Sequence, residues 1–392
     1  MSLARNVDLL RHLPRVDGLR LAEFGRSADA SSALEEVTGF GDNPGNLRMF
    51  AFVPEQLQKP RALVVVLHGC GQTAATYDRG AGWSTLARHY GFALLMPEQQ
   101  RINNGNTCFN WFNPEDTARG SGEPRSIREM IAHMVETHRI DPGRIFVTGL
   151  SAGGGMTSVM LATYPEVFAA GAVIAGLPYG VASNLREALD GMFHSPARSA
   201  RELGDFVRGA SHHRGPWPKM SVWHGSADRT VNPGNANEIV KQWLDLHDLP
   251  ATPMAETNVD GYPRQAWWNG DGETLVESYA ITGMAHGTPL GLADNDQRYG
   301  EEGAFLIEAG ISSSYHIAKF FGLTGWIPDA ARKKVDAKSA TSKPALTPAP
   351  HLARSIRAAV ADEPAEPKRE EARGFDLGQI ITRALTAAGL MK

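Results

Sequence analysis

Cysteine is scarce. The 392-residue chain has two, Cys70 and Cys108, so no disulfide framework can stand in for a hydrophobic core. Two thiols allow one bridge or two reduced side chains, and composition leaves both open. An excess of one charge is lacking too: 39 Lys and Arg face 43 Asp and Glu, a formal net charge of −4. That excludes a general affinity for nucleic acid or for anionic membranes and points to a small or uncharged substrate. Long hydrophobic runs are absent. The longest uncharged stretch, between Glu166 and Arg186, is broken by Gly, Pro, Ser and Asn, so no transmembrane span is expected. The first ten residues contain Arg5 and Asp8 and no apolar core before a small-residue cleavage site, so no standard signal peptide is expected. What is present, 42% hydrophobic and 21% charged residues, suits a soluble globular body with appendages.

From residue 36 to 328, short apolar runs at 47–53, 62–67, 92–96, 144–148, 170–174, 220–223 and 275–281 alternate with helix-like segments. Continuous apolar runs are what strands covered on both faces look like. Segment 126–138 sets Ile127, Met130, Ile131 and Met134 on one helical face. The alternation predicts an α/β fold with a mainly parallel central sheet flanked by helices. Residues 181–218 break the rhythm; Leu185, Leu189, Met192 and Phe193 have helical spacing, and the segment reads as a small cap after the sixth strand or as a peripheral excursion. Residues 1–35 are expected to be an N-terminal helical extension. The Ala-, Pro- and Lys-rich residues 329–373 are expected to be a disordered linker. In 374–392, Phe375, Leu377, Ile380, Ile381, Leu385 and Leu390 recur at helical spacing, as in a short amphipathic helix that docks, self-associates or binds a partner surface.

The strongest chemical signal is Gly149-Leu150-Ser151-Ala152-Gly153, preceded by a strand-like run and followed by a helix-forming run from 156 to 161. Such a G-x-S-x-G elbow presents a serine on a tight strand-to-helix turn, so Ser151 is the expected nucleophile. The fold then demands an acid and a histidine downstream, in that order. Asp228 follows the run at 220–223 and His286 follows the run at 276–281, each just past a strand, where open α/β sheets bind ligands. His286 is expected to act as base and Asp228 to orient it. His224, before a glycine at a strand end, reads as structural, as does His68. His212 and His213 lack acidic or cysteine partners, so no metal is expected, and no cofactor. Asp205, Asp245 and Asp248 fall in helix-like segments and are expected to be solvated. For the oxyanion, the backbone N–H groups of Ala152 and Cys70 are the expected donors, the latter in the turn His68-Gly69-Cys70-Gly71. In the loop 106–112, Asn110 and Trp111 are expected to line the substrate groove, while Phe109 and Phe112 serve equally well as packing.

The runs LVVVLHGCGQTAATYDRGAGWSTLA, CFNWF, IFVTGLSAGGGMTSVMLATYPEVF, HGSADRTV and GMAHGTPL resemble the esterase family of polyhydroxybutyrate depolymerases, over roughly residues 36–325. The resemblance implies an α/β-hydrolase fold and hydrolysis of esters in poly- or oligo-3-hydroxyalkanoates, with Ser151, Asp228 and His286 as the triad. It also implies that Cys70 and Cys108 are paired near the oxyanion hole. A feruloyl- or acetylxylan-type carbohydrate esterase or a general carboxylesterase is the alternative; a non-catalytic granule-binding protein is a third reading. The family suggests an extracellular location; with no standard signal peptide visible, the cytoplasm is the alternative. Where secreted members carry a folded polymer-binding module, a short helix is expected here, and a granule surface is one candidate for its partner.

Overall fold

The computed structural model describes residues 32–325 apart from 58 and 60. The expected linker and terminal helix, and all but the last residues of the N-terminal extension, lie outside these. The chain forms a ten-stranded sheet in the order β1-β2-β4-β3-β5-β6-β7-β10-β9-β8, where β1 is Glu35–Val37, β2 Arg48–Phe52, β3 Leu63–Leu67, β4 Ala93–Glu98, β5 Ile145–Leu150, β6 Ala170–Ile174, β7 Lys219–Gly225, β8 Ala255–Val259, β9 Tyr262–Trp268 and β10 Thr274–Ile281. The centre, from β4 to β10, is parallel; both edges are antiparallel.

The central strands β3 to β6 are buried at every position because both faces are covered. In β3, Leu63, Val65 and Leu67 enter one core layer, and Val64 and Val66 the other. The first layer is completed by α3 (Gly122–His138), α4 (Ala152–Thr163) and α7 (Gly234–Leu246), through residues such as Met130, Met156 and Trp243. The second is completed by α1 (Ala74–Ala81), α2 (Trp83–Tyr90) and α8 (Ser313–Phe320), through Tyr77, Trp83 and Ile317. Beside α8, β11 (Thr288–Leu290) and β12 (Leu306–Glu308) form a small parallel pair. Among the described residues no helix is long and apolar enough to cross a membrane.

Differences from the sequence reading have local causes. Helix α3 opens at Gly122, not 126, since Pro124 falls in the first turn, where its missing N–H is no loss. Glu35, placed in the helical extension, opens β1. The hairpin β8–β9 turns at Asp260-Gly261, both at positive φ, a two-residue turn signature; its outer strand exposes Glu256, Thr257 and Asn258, so hydrophobicity gave no sign of it. The interval 181–218 holds α5 (Leu185–His194) and α6 (Ala200–Ala210). Helix α6 packs on α4 and α7 with Leu203 and Val207 buried, so this half belongs to the layer over the sheet. Helix α5 rests on α7, where Asn235 Nδ2 donates to the Gly191 carbonyl at 3.0 Å. Asp248 is not helical but sits in the turn after α7 at φ 53°, and Asp245 is not free in solvent: it pairs with Arg208.

Candidate active site

The turn from β5 into α4 places Ser151 at φ 56°, ψ −116°, a strained conformation held from both sides. Ser151 N–H donates to the Ile174 carbonyl at 2.9 Å, and the Ser151 carbonyl accepts from Gly155 N–H at 2.8 Å. The glycines flanking it are a steric requirement. A Cβ on Gly153 would lie 2.3 Å from the Leu67 carbonyl oxygen at the end of β3, and one on Gly149 would lie 2.3 Å from the Gly153 oxygen. Ser151 does not cap α4 with its side chain, and the first turn carries no acid; the hydroxyl is not engaged by the helix, which presents unneutralised N–H groups beside it.

Strands β7 and β10 pair in parallel with Ile281 opposite Gly225, which brings the two loops that follow side by side. Ser226 N–H donates to the Ile281 carbonyl and Ala227 N–H to that of Met284, both at 3.0 Å. A Cβ on Gly225 would lie 2.3 Å from the Met284 oxygen, so only glycine allows this approach. The result is a hydrogen bond of 2.7 Å between His286 Nδ1 and Asp228 Oδ2. The other carboxylate oxygen accepts from Thr230 N–H at 2.8 Å and Val231 N–H at 2.9 Å. Burial pushes the Asp228 carboxyl up, but the imidazoles of His224 and His286 against it outweigh burial and hold it well below the usual carboxylate range. Ser151 and His286 each keep a small exposed area, 9% and 8%.

The turn after β3 is held next to this elbow by the β3–β5 register, Leu67 opposite Gly149. Gly69 N–H donates to Gln72 Oε1 at 2.9 Å, and Gly71 N–H to the Asn106 carbonyl at 2.8 Å. Among the described residues, no acceptor takes the N–H of Cys70, which lies between them. A disulfide joins Cys70 to Cys108, with Cα atoms 4.3 Å apart, tying this turn to the 106–112 loop. Gln72, whose Nε2 also donates to the Ala304 carbonyl at 3.1 Å, was not singled out from sequence; nothing short of the fold brings residues so distant in the chain together.

His68 fixes the same turn. Gln99 N–H donates to its Nε2 at 3.1 Å, so Nδ1 carries the proton and donates to the Gly69 carbonyl at 2.8 Å. Burial pulls this imidazole down to about 4 from 6.5, against the opposing Gly69 bond. Below about pH 6.5 the unfolded chain binds a proton here that the folded chain refuses. The stability that neutral His68 contributes is therefore complete above about 6.5 and is lost as pH falls toward about 4, by up to about 3 kcal/mol. Urea midpoints measured from pH 7 to pH 4 are expected to fall more steeply in the parent protein than in His68→Gln; equal slopes would contradict it.

The remaining expected residues have other uses. Trp111 packs edge-on to Phe112 and over Gly155, where a Cβ would lie 2.6 Å from the indole; Phe109 is fully buried. Asn110 gives its N–H to Glu123 at 3.0 Å and its amide to Glu123 at 2.8 Å, and accepts from Asn104 at 3.0 Å. Burial, then the charge of Asp116, pushes Glu123 up to about 8. Asn110 lines a cleft of about 580 Å³ with Asn103, Asp116 and Glu123, a cleft that touches neither Ser151 nor His286. His213 Nε2 lies 2.8 Å from the Pro216 carbonyl. Asp260, Asp294 and His316 converge, with ligand atoms within 4.8 Å of one another, yet His316 already meets Asp260 at 2.8 Å and Lys319 meets Asp294 at 2.6 Å.

A family model described as esterase PHB depolymerase matches residues 50–258. The chain belongs to that family. Over 300 residues this esterase is 46% identical to a poly(3-hydroxyalkanoate) depolymerase C of Paucimonas lemoignei, spanning 76% of its own length and 72% of the relative's. It is 35% identical over 272 residues to a feruloyl esterase B of Neurospora crassa, with 66% and 89% covered. Among solved structures, an acetyl xylan esterase from Aspergillus awamori superposes with a TM-score of 0.62 at 27% identity, over 74% of this chain and 99% of that one. The family and the fold make the protein a carboxylic ester hydrolase of the α/β-hydrolase superfamily.

Proposed function

We propose that this esterase cleaves ester bonds of poly- or oligo-3-hydroxyalkanoates through a Ser151–His286–Asp228 triad and an acyl-enzyme. The observation that carries the triad is the 2.7 Å bond from His286 Nδ1 to Asp228 Oδ2, because a proton committed there leaves Nε2 as the base. Ser151 Oγ attacks the ester carbonyl carbon while His286 Nε2 takes the hydroxyl proton. The tetrahedral oxyanion is held by the N–H groups of Cys70 and Ala152. Collapse expels the alcohol, which receives the proton from His286. Water, deprotonated by the same nitrogen, then attacks the acyl carbon, releases the acid and restores Ser151. Asp228 stays ionised throughout and stabilises the imidazolium.

The substrate rests on the higher identity to the depolymerase than to the feruloyl esterase. Purified enzyme is expected to release 3-hydroxybutyrate from oligomers with a kcat/KM at least about tenfold above that for acetylxylan or feruloyl esters, a difference of about 1.4 kcal/mol in transition-state binding. The reverse order would assign it to the carbohydrate esterases. A chain ended at Asp329 should keep full activity on a soluble p-nitrophenyl ester; if residues 374–392 anchor the enzyme to granules, its sedimentation with them falls.

A further inference from the structure

Asp228 has a second imidazole against it. His224 stands near the end of β7 with its side chain almost entirely buried, and its Nε2 lies 3.0 Å from the Val231 carbonyl oxygen and 3.2 Å from Asp228 Oδ2, the oxygen that also meets His286. A carbonyl only accepts, so Nε2 carries a proton and donates it. The ring's Nδ1 is buried and has no hydrogen-bond partner among the described residues. A buried polar nitrogen left unpaired costs stability, and an apolar side chain would fill the position without that cost. What the ring does at Nε2 therefore has to offset the loss at Nδ1.

We infer that His224 is a positioning residue for the triad: it anchors the 225–231 turn through Val231 and sets the Asp228 carboxylate in the orientation His286 requires. The links are continuous. His224 holds the Val231 carbonyl; the Val231 N–H, with that of Thr230, holds Asp228 Oδ1; and Oδ2 is thereby turned between the two imidazoles. No other side chain among the described residues bonds to this carboxylate. Without the His224 N–H, the far end of the turn loses its tie at Val231, while Asp228 N–H still bonds to the Gly225 carbonyl, and Oδ2 loses one of its two side-chain partners, so the carboxylate can rotate away from His286. The polar contacts of His224 are to Val231 and Asp228 and not to Ser151 or His286, so the effect is expected in the chemical step rather than in substrate binding.

The inference rests on the triad reading above, and its test separates the two. His224→Leu, which removes the donor, is expected to lower kcat on a p-nitrophenyl ester by about ten- to a hundred-fold, the worth of one hydrogen bond to a charged group, with KM changed less than about twofold. His224→Gln, whose amide can reach Val231, should recover most of that loss. A structural role alone would lower the melting temperature in both variants and leave kcat of the folded fraction unchanged, and that result would overturn the inference. If the leucine variant does not fold, ¹⁵N spectra of the histidine-labelled parent enzyme decide: His224 is expected as the Nε2–H tautomer, and a proton on Nδ1 alone would overturn it. Loss of activity in Ser151→Ala with no kcat effect at position 224 rejects the positioning role only; an active Ser151→Ala enzyme rejects the triad.

Discussion

Ser151→Ala is expected to lower kcat/KM on a soluble ester by roughly a million-fold, because attack and acyl transfer both pass through the one hydroxyl. The fold should survive. Alanine keeps the Cβ that the elbow already accommodates at φ 56°, and the Ser151 side chain caps nothing in α4. The far-ultraviolet circular dichroism and the melting temperature are expected to stay within experimental scatter of the parent. A folded variant with a tenth of the parent activity would place the nucleophile elsewhere.

Asp228→Asn is expected to cost about ten-thousandfold in kcat, by a tautomer argument. Thr230 and Val231 both present N–H groups to Oδ1, so an amide there must turn its oxygen toward them and its NH2 toward the histidines. His286 Nδ1 then faces a donor and is driven to accept, which moves the ring proton to Nε2 and removes the base. The same swap sets a second N–H against His224 Nε2, 3.2 Å away, so a loss of stability of about 1–3 kcal/mol is expected as well. A variant within tenfold of the parent would mean that Asp228 does not orient the base.

The positions of the expected triad residues in the fold were legible because each follows an apolar run that is in fact a strand of the parallel centre: Ser151 after β5, Asp228 after β7 and His286 after β10. The fold class followed from the same runs, which are continuous since β3, β4 and β5 are buried on both faces. The polar support around the site was not legible. Gln72 reaches Ala304, and Asn110 is held by Glu123; such bonds join residues that only the folded chain brings together, and no periodicity announces them. Asn110 reads as a groove residue from its aromatic neighbours, yet its amide is used within the protein. His224 reads as a strand-end histidine, which it is, but nothing in the string HGSAD says that its ring returns to the acid four residues on. The edges failed for a different reason: β1 and β8 are three- and five-residue strands with largely exposed polar side chains, so they carry neither alternation nor a hydrophobic run. The pairing of Cys70 with Cys108 came from family resemblance, since 38 residues of separation permit a bridge without requiring one.

The central claim is that Ser151 is the nucleophile of a working ester hydrolase. Reaction of the native enzyme with a fluorophosphonate, followed by proteolysis and mass spectrometry, tests it most directly. One phosphonyl group per chain is expected, bonded to Ser151 in the peptide that begins after Arg144, with loss of esterase activity in proportion to labelling. A fully inactivated enzyme whose adduct lies on a different serine, or an enzyme that turns over esters while Ser151 stays unlabelled under the same conditions, would contradict it.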